Sequence, residues 1–256
     1  MKDVTIIVPV NLIDENTQGL FDAALESVAA ANGKDTPVIV VGPKDVLDKL
    51  KAPEDFTAIR YAENEVEGLP AQVNAAVSVC DTKWFSVLEY DDTYTDIWFR
   101  NVDAYITKAP TDTIFIPLTE VYNYGEQLAL GFVNQAPWAS SFSEKMGYFD
   151  KDILLNFSEV NLTGAIINRE DYLEVGGLKE SMKLFYWYEF LLRTAEKNKT
   201  IFVVPKVGYH HFLNRPNSFS GDGVKAFSQD EIDWWYSLAQ SEYLFKKDRK
   251  KTYQKK

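Results

Sequence analysis

The feature that most constrains the fold of this chain is a repeated alternation of apolar, β-branched runs with stretches of helical periodicity. The runs Val4–Val10 and Pro37–Gly42 are typical of strands that are buried on both faces. Between them, Leu20, Ala24 and Val28 recur at the spacing of one helix face. Such alternation predicts an α/β fold with a mostly parallel sheet flanked by helices, in which ligands bind beyond the carboxyl ends of the strands.

The same reasoning extends along the whole chain. The predicted strands are 4–10, 37–42, 57–61, 84–88, 113–121, 127–133, 164–168 and 201–205. The predicted helices are 20–29, 45–51, 69–79, one from 97, 169–175, 186–197 and a C-terminal helix over 227–245. We find no internal repeat, low-complexity segment or linker, so we expect a single domain over residues 1–245 and a tail over 246–256.

Composition excludes several classes of protein. An apolar content of 46% with 14% aromatic residues is sufficient for a packed core. A single cysteine, Cys80, rules out an internal disulfide and a thiolate zinc cluster. No run approaches the ~18 apolar residues that a spanning helix needs, and the first residues lack the features of a signal peptide. The sequence therefore predicts a cytoplasmic protein.

Charge separates the body of the chain from its tail. The chain carries −11 overall, whereas residues 246–256 hold seven basic residues and one acid, which leaves −17 on residues 1–245. An acidic body disfavours nucleic-acid binding across the domain face. The tail is either a solvated extension or a contact to an anionic surface such as a membrane or a nucleic acid.

Three carboxylates, Glu89, Asp91 and Asp92, follow directly on the predicted strand Trp84–Leu88. Carboxylates grouped at the end of a buried strand are costly unless a cation or water compensates them. Oxygen ligands on a short turn suit Mg²⁺ or Mn²⁺. The alternative interpretation is a solvated acidic turn in which Asp96 caps the helix that follows.

Several segments, taken in order, resemble glycosyltransferase family 2, whose members have the GT-A fold. The resemblance covers roughly residues 4–92 and 163–220. The segments that carry it are Val4–Asn11, Ala24–Val28, Gly68 with Gln72–Ala75, Val87–Asp92, Gly164–Arg169, Val175–Leu178, Tyr188–Arg193 and Tyr209–His211 with Arg215 and Ser218. The acidic segment corresponds to the family's Asp-x-Asp motif, and the order of the pieces favours a functional interpretation of it.

The resemblance implies a metal-dependent, inverting transfer of a hexosyl or pentosyl group from a nucleotide-diphosphate sugar. It divides the domain into a nucleotide-binding half, 1–95, and an acceptor half, 96–245. Mn²⁺ or Mg²⁺ would neutralise the charge of the leaving diphosphate. The residues that it places around the nucleotide sugar are Pro9, Val10, Asn11, Asn74, Glu89, Tyr90 and Arg215.

The resemblance also implies the metal ligands and the base. Asp91 is the first choice of ligand, Asp92 stands beside it, and Glu189 is the general base for the acceptor hydroxyl. Adjacent residues on a strand point in opposite directions, so one of His210 and His211 faces the site. We assign the ligand role to His211, although the sequence leaves the choice open.

The acceptor is less constrained than the donor. Sugar faces stack on aromatic rings, and the second half is rich in aromatic residues, most of which we expect in the core. We take Trp138 and Trp187 as the exposed residues of an acceptor cleft. The acceptor itself, whether a saccharide, a lipid-linked sugar, a protein or a modified nucleic-acid base, is left open.

Three departures from the family keep other functions in view. Glu89 replaces the first aspartate of the motif, Tyr188 replaces the first acid of the Glu-Asp pair, and Gly42-Pro43 ends the second strand where the family has an aspartate. A catalytically degenerate sugar- or nucleotide-binding module is therefore one alternative. A nucleotidyltransferase is another, although residues 11–19 lack the basic, glycine-rich loop that such an enzyme needs.

Overall fold

The computed structural model describes residues 1–66, 68–139, 141, 145–216, 218 and 224–241. Within this part of the chain, the strands are β1 Val4–Pro9, β2 Val38–Gly42, β3 Ile59–Glu63, β4 Trp84–Val87, β5 Thr93–Tyr94, β6 Ile114–Asn123, β7 Ala129–Val133, β8 Ile166–Asn168 and β9 Ile201–Leu213. The helices are α1 Thr17–Asn32, α2 Lys44–Leu47, α3 Leu69–Ser78, α4 Trp98–Lys108, α5 Lys151–Asn156, α6 Arg169–Val175, α7 Tyr186–Glu196 and α8 Gln229–Ser241. Two short 3₁₀ turns lie at Ala136–Trp138 and Val224–Ala226.

The described strands form one mixed sheet in the order β3-β2-β1-β4-β8-β6-β9-β5, with β7 paired to β6. Strands β1 to β4 are mutually parallel, and β8 runs antiparallel to both β4 and β6. Because β9 is parallel to β6, the strands β1, β2, β3, β4, β6 and β9 all run in one direction, and β5, β7 and β8 run in the other. The predicted mostly parallel α/β sheet is confirmed.

Strands β1, β2 and β4 are buried on both faces, which explains the unbroken apolar runs of the sequence there, whereas β3 and β7 are largely exposed. Along β1, Ile7 packs on the face that α3 and α7 cover, whereas Ile6 and Val8 pack on the face that α1 and α4 cover. Full burial of each such side chain contributes about 1.5–3 kcal/mol to folding. The parallel strands consequently form a rigid support for the loops at their carboxyl ends.

Strand β9 is much longer than its predicted span of 201–205. Pro205 lacks a backbone N–H and lies where the pairing with β6 shifts register, between Pro117 and Leu118. The strand passes this irregularity and continues to Leu213. As a result, the two histidines lie on a strand, at the same edge of the sheet as the end of β4.

Other segments differ less from expectation. Helix α5 interrupts the region 134–160 that was predicted to be irregular, and Asp150 caps it by accepting from the Ile153 amide at 2.9 Å. The end of the predicted C-terminal helix, residues 242–245, and the basic tail, 246–256, lie outside the described residues. None of the described helices combines the length and the apolarity that crossing a bilayer requires.

Candidate functional site

The carboxyl ends of β1, β4 and β9 meet at one edge of the sheet. The amide of Leu88 donates to the carbonyl of Ile7 at 2.9 Å. The next amide, that of Glu89, donates to the hydroxyl of Tyr209 at 3.1 Å. Gly164 makes room for this tyrosine, because a Cβ there would lie 2.4 Å from its ring. The turn after β4 is therefore fixed over β9.

Glu89, Asp92 and His211 converge at this edge. Each offers a ligand atom, and these atoms lie within 4.8 Å of one another. Asp92 is 1% exposed, and its two oxygens are oriented by the Nδ1 atom of His211 at 2.8 Å and by the Phe212 amide, which donates at 2.9 Å. The sheet thus places two carboxylates and one imidazole around a single point.

The electrostatics of this cluster are unbalanced. Burial, followed by the charge of Asp92, raises the pKa of Glu89 to about 8. Burial acts to lower the pKa of His211, but the charge and hydrogen bond of Asp92, together with the charge of Glu89, raise it to about 9. Burial thus raises the pKa of Glu89 and opposes the rise at His211, whereas the negative charge of Asp92 raises the pKa of both groups.

A divalent cation fits this arrangement. Among the described residues, the carboxylate of Glu89 accepts no hydrogen bond and forms no ion pair, although it lies beside a second carboxylate. A cation would compensate both acids. Carboxylate oxygens are the ligands of Mg²⁺ and Mn²⁺, and the imidazole adds a nitrogen that Mg²⁺ seldom takes.

Asp91, the first choice of ligand from sequence, lies outside this cluster of three. Its Oδ2 atom accepts a hydrogen bond from Nε of Arg215 at 2.8 Å. The same guanidinium donates to the hydroxyl of Tyr90. Two residues expected at the nucleotide sugar, Tyr90 and Arg215, are thus hydrogen-bonded to each other, and Arg215 is also bonded to Asp91.

His210 lies on the opposite face of β9. Its Nδ1 is 3.4 Å from Oγ1 of Thr93, and its Nε2 is 3.5 Å from a carboxylate oxygen of Glu120. Burial lowers its pKa. The strand alternation that separates the two histidines therefore directs His211, and not His210, toward Glu89 and Asp92.

Glu189 lies in the first turn of α7, where the sequence placed it. It is 1% exposed and forms a bidentate pair with Arg193, with N–O distances of 3.1 and 2.7 Å. Lys179 lies 3.1 Å from the same carboxylate. Arg193 also donates to the carbonyls of Val175 and Gly177, which binds α7 to the end of α6.

The other residues expected at the nucleotide differ in their exposure. Pro9 and Val10 are buried, whereas Asn11 is exposed and accepts a hydrogen bond from Gln72 at 2.6 Å. Asn74 is engaged elsewhere: its amide oxygen accepts from the Tyr172 hydroxyl at 2.6 Å and from the Leu178 amide at 3.0 Å. The nitrogen of Asn74 donates to the Leu178 carbonyl at 2.9 Å and to Glu180 at 3.0 Å.

The two tryptophans expected in an acceptor cleft are separated by the structure. Trp138 is half-buried and lines a mostly apolar groove of about 650 Å³, together with Phe132 and Phe157. Trp187 is only 9% exposed and packs in the core, because its position on α7 faces Phe190 and the neighbouring helices rather than an open cleft.

Sequence reasoning assigned no role at the site to Tyr209 or to Tyr186. The hydroxyl of Tyr209 accepts from the Glu89 amide. Burial, followed by the charge of Glu89, raises the pKa of Tyr186. Strand alternation would have found the first of these, since Tyr209 shares a strand face with His211. The sequence carries no comparable signal for Tyr186.

No family model and no curated protein sequence matches this chain. Solved structures do share its fold. The structure of residues 1–349 of TarS from S. aureus in complex with UDP-GlcNAc superposes with a TM-score of 0.63 at 17% identity, and the match covers 87% of this chain and 61% of that chain. The chain has a GT-A-like fold.

Two further TarS structures agree with this assignment. The complex of residues 1–349 with UDP matches with a TM-score of 0.61 at 16% identity over 84% of this chain. The structure described simply as TarS matches with a TM-score of 0.61 at 18% identity. Our chain spans 37% of the latter and 61% of the former. At these identities the likeness establishes the GT-A-like fold alone.

Proposed function

We propose that this protein is a metal-dependent glycosyltransferase that moves a sugar from a nucleotide-diphosphate sugar to an acceptor hydroxyl with inversion. The observation that carries the proposal is the cluster of Glu89, Asp92 and His211 at the carboxyl edge of the sheet in a GT-A-like fold. TarS, which shares this fold, has been crystallised with UDP and with UDP-GlcNAc, so uridine diphosphate sugars are the first donors to test.

In this proposal Glu89, Asp92 and His211 hold Mn²⁺ or Mg²⁺. When bound, the ion neutralises the charge that grows on the leaving diphosphate. Asp92 orients the His211 ring through their hydrogen bond, and Tyr209 fixes the backbone of Glu89. The protein's part is to assemble these groups in advance, so that little reorganisation is needed during the reaction.

Transfer breaks the bond from the anomeric carbon to the diphosphate oxygen and forms a bond from that carbon to the acceptor oxygen. The proton of the acceptor hydroxyl needs a base, and Glu189 is our candidate because of its place at the start of α7 and its resemblance to the family's acidic pair. The nucleotide belongs to the half formed by residues 1–95 and the acceptor to residues 96–245, where the groove at Trp138 offers an apolar wall.

The test is a screen of nucleotide sugars by calorimetry, with Mn²⁺, with Mg²⁺ and with EDTA, followed by an assay for release of the nucleoside diphosphate. We expect at least one donor to bind in the presence of metal and to be turned over. The proposal would be overturned if every nucleotide sugar bound with the same affinity with and without metal, or if none bound at all.

One observation favours a second candidate, a binding module that has lost catalysis. Glu189 is already ion-paired with both Arg193 and Lys179, which is the arrangement of a carboxylate that stabilises the fold. Metal-dependent donor binding without release of diphosphate, either with or without a panel of acceptors, would support this second function over the first.

A further inference from the structure

The guanidinium of Arg215 is buried, with only 3% of its surface exposed. Besides donating to Asp91, it approaches Oδ2 of Asp14 at 3.4 Å and donates to the carbonyl of Pro216 at 3.1 Å. It also lies over the ring of Tyr90, 5.1 Å from the centroid. A buried cation is stable only when such partners surround it, so these contacts constrain every segment that supplies one.

The partners come from three separate segments. Asp14 belongs to the loop between β1 and α1, Asp91 to the turn after β4, and Arg215 to the chain that follows β9. The other oxygen of Asp14 organises its own loop, since it accepts from the amides of Asn16 at 2.9 Å and Thr17 at 3.0 Å. One carboxylate therefore shapes the loop and also attaches it to Arg215.

We propose that Asp14 and Arg215 are positioning residues that hold the loop of residues 10–16 in place for the nucleotide before the donor binds. The inference rests on the proposed function. This loop leaves the carboxyl end of β1, where ligands of such sheets bind, and it carries the exposed side chain of Asn11. A loop that is ordered in advance saves the cost of ordering it on binding.

The proposal separates two affinities. Asp14 and Arg215 are not members of the cluster of Glu89, Asp92 and His211, so loss of their contact weakens donor binding while the affinity for the metal stays the same. A general loss of fold would instead lower both. This difference gives the positioning role a readout that a purely structural role does not have.

The experiment compares Asp14→Asn and Arg215→Lys with the wild-type protein. Asparagine keeps an oxygen that can accept from Asn16 and Thr17 but loses the charge toward Arg215, and lysine lacks the planar fork that reaches several partners at once. We expect each variant to bind its donor about tenfold more weakly in calorimetry, with unchanged affinity for Mn²⁺ measured without nucleotide. The double variant should be no weaker than Arg215→Lys alone.

Asp55→Asn is the matched control. Asp55 precedes β3 and forms an exposed ion pair with Lys34, which precedes β2, so the pair lies at the opposite edge of the sheet. Donor affinities equal to that of the wild type in both variants would overturn the positioning role of Asp14 and Arg215 alone, as would a parallel loss of Mn²⁺ affinity. A wild-type protein that binds no nucleotide sugar would overturn the proposed function and the positioning role together. Arg215→Lys is the variant more exposed to misfolding, so Asp14→Asn, with its melting temperature measured, decides the matter.

Discussion

Glu89 and Glu189 are two glutamates that the sequence assigned to one site, yet the structure surrounds them in opposite ways. Glu189 is enclosed by Arg193 and Lys179, which compensate its charge. Glu89 lies beside a second carboxylate, that of Asp92, and His211 is close to both acids. A buried carboxylate that has its own cations can stabilise the fold without a further ligand, whereas grouped carboxylates leave a place for another positive charge.

The largest expected effect tests whether a fully paired glutamate can also act in the reaction. If Glu189 is the base, Glu189→Gln should slow transfer about 10²–10⁴-fold, the usual contribution of a positioned base, while metal-dependent donor binding survives. The variant should also lose stability, because two cations lose their shared partner. The rate is to be measured by release of nucleoside diphosphate at a temperature where the variant is fully folded.

Glu196→Gln, at the last residue of the same helix, is the control for this experiment. A fall in rate that follows only the folded fraction of Glu189→Gln would assign the glutamate to the fold and remove it from the chemistry. Glu189 would then belong to the fold alone, and Glu89 to the metal site.

The next effect concerns the cluster itself. Asp92→Asn keeps the shape of a side chain that His211 and the Phe212 amide both contact, but it removes the charge. We expect the affinity for Mn²⁺ to fall about a hundredfold or more, because a charged ligand contributes at least as much as the hydrogen-bond partners that orient ligands, whose loss costs about 10–100-fold. Calorimetric titration of the metal alone checks this, and an unchanged affinity would show that the ion binds elsewhere.

Glu89→Gln should have the opposite sign to Glu189→Gln in its effect on stability. The pKa of Glu89 in the folded protein is raised to about 8. The free energy of unfolding therefore falls as the pH rises from the ordinary pKa of a glutamate toward this raised pKa. Glutamine removes this cost, so the metal-free variant should be more stable than wild type by roughly 1–3 kcal/mol near pH 8 and by almost nothing below pH 4.

Urea unfolding in EDTA across this pH range measures the difference. Added Mn²⁺ should reverse the ranking, because an ion that binds the folded state stabilises the wild type by mass action. A variant that is less stable than wild type in EDTA at every pH would mean that Glu89 already has a compensating partner.

Local pattern predicted much of the fold. Apolar runs located β1, β2 and β4, and turn residues located the hairpin of β6 and β7, because each of these signals lies within a few neighbouring residues. The pattern failed at β9, where Pro205 suggested an end and a register shift instead carried the strand onward. The stretch of β9 that was missed contains both histidines.

The site was less predictable than the fold for the same reason. The position of Glu89, Asp91 and Asp92 at a strand end is local information, whereas the partner of each acid is not. Asp91 meets Arg215 across 124 residues of chain, and His211 meets Asp92 across 119. The spacing of Glu189 and Arg193, four residues apart on one helix, was a local signal of an ion pair that the sequence already carried.

The smallest expected effect gives the finest test of how the acids divide their work. Asp91 and Asp92 are neighbours, and the family resemblance implied the leading role at the metal for Asp91. The structure instead pairs Asp91 with Arg215, although burial and the charge of Asp92 still raise its pKa.

Asp91→Asn retains an oxygen that can accept from Nε of Arg215, so the turn after β4 should keep its shape. We therefore expect the Mn²⁺ affinity of this variant to stay within about threefold of wild type, far above that of Asp92→Asn, because loss of a charge near but outside the ligand set acts only through the local field. Parallel titrations of the two variants decide the point, and equal losses in both would make Asp91 a metal ligand and Arg215 its resting partner.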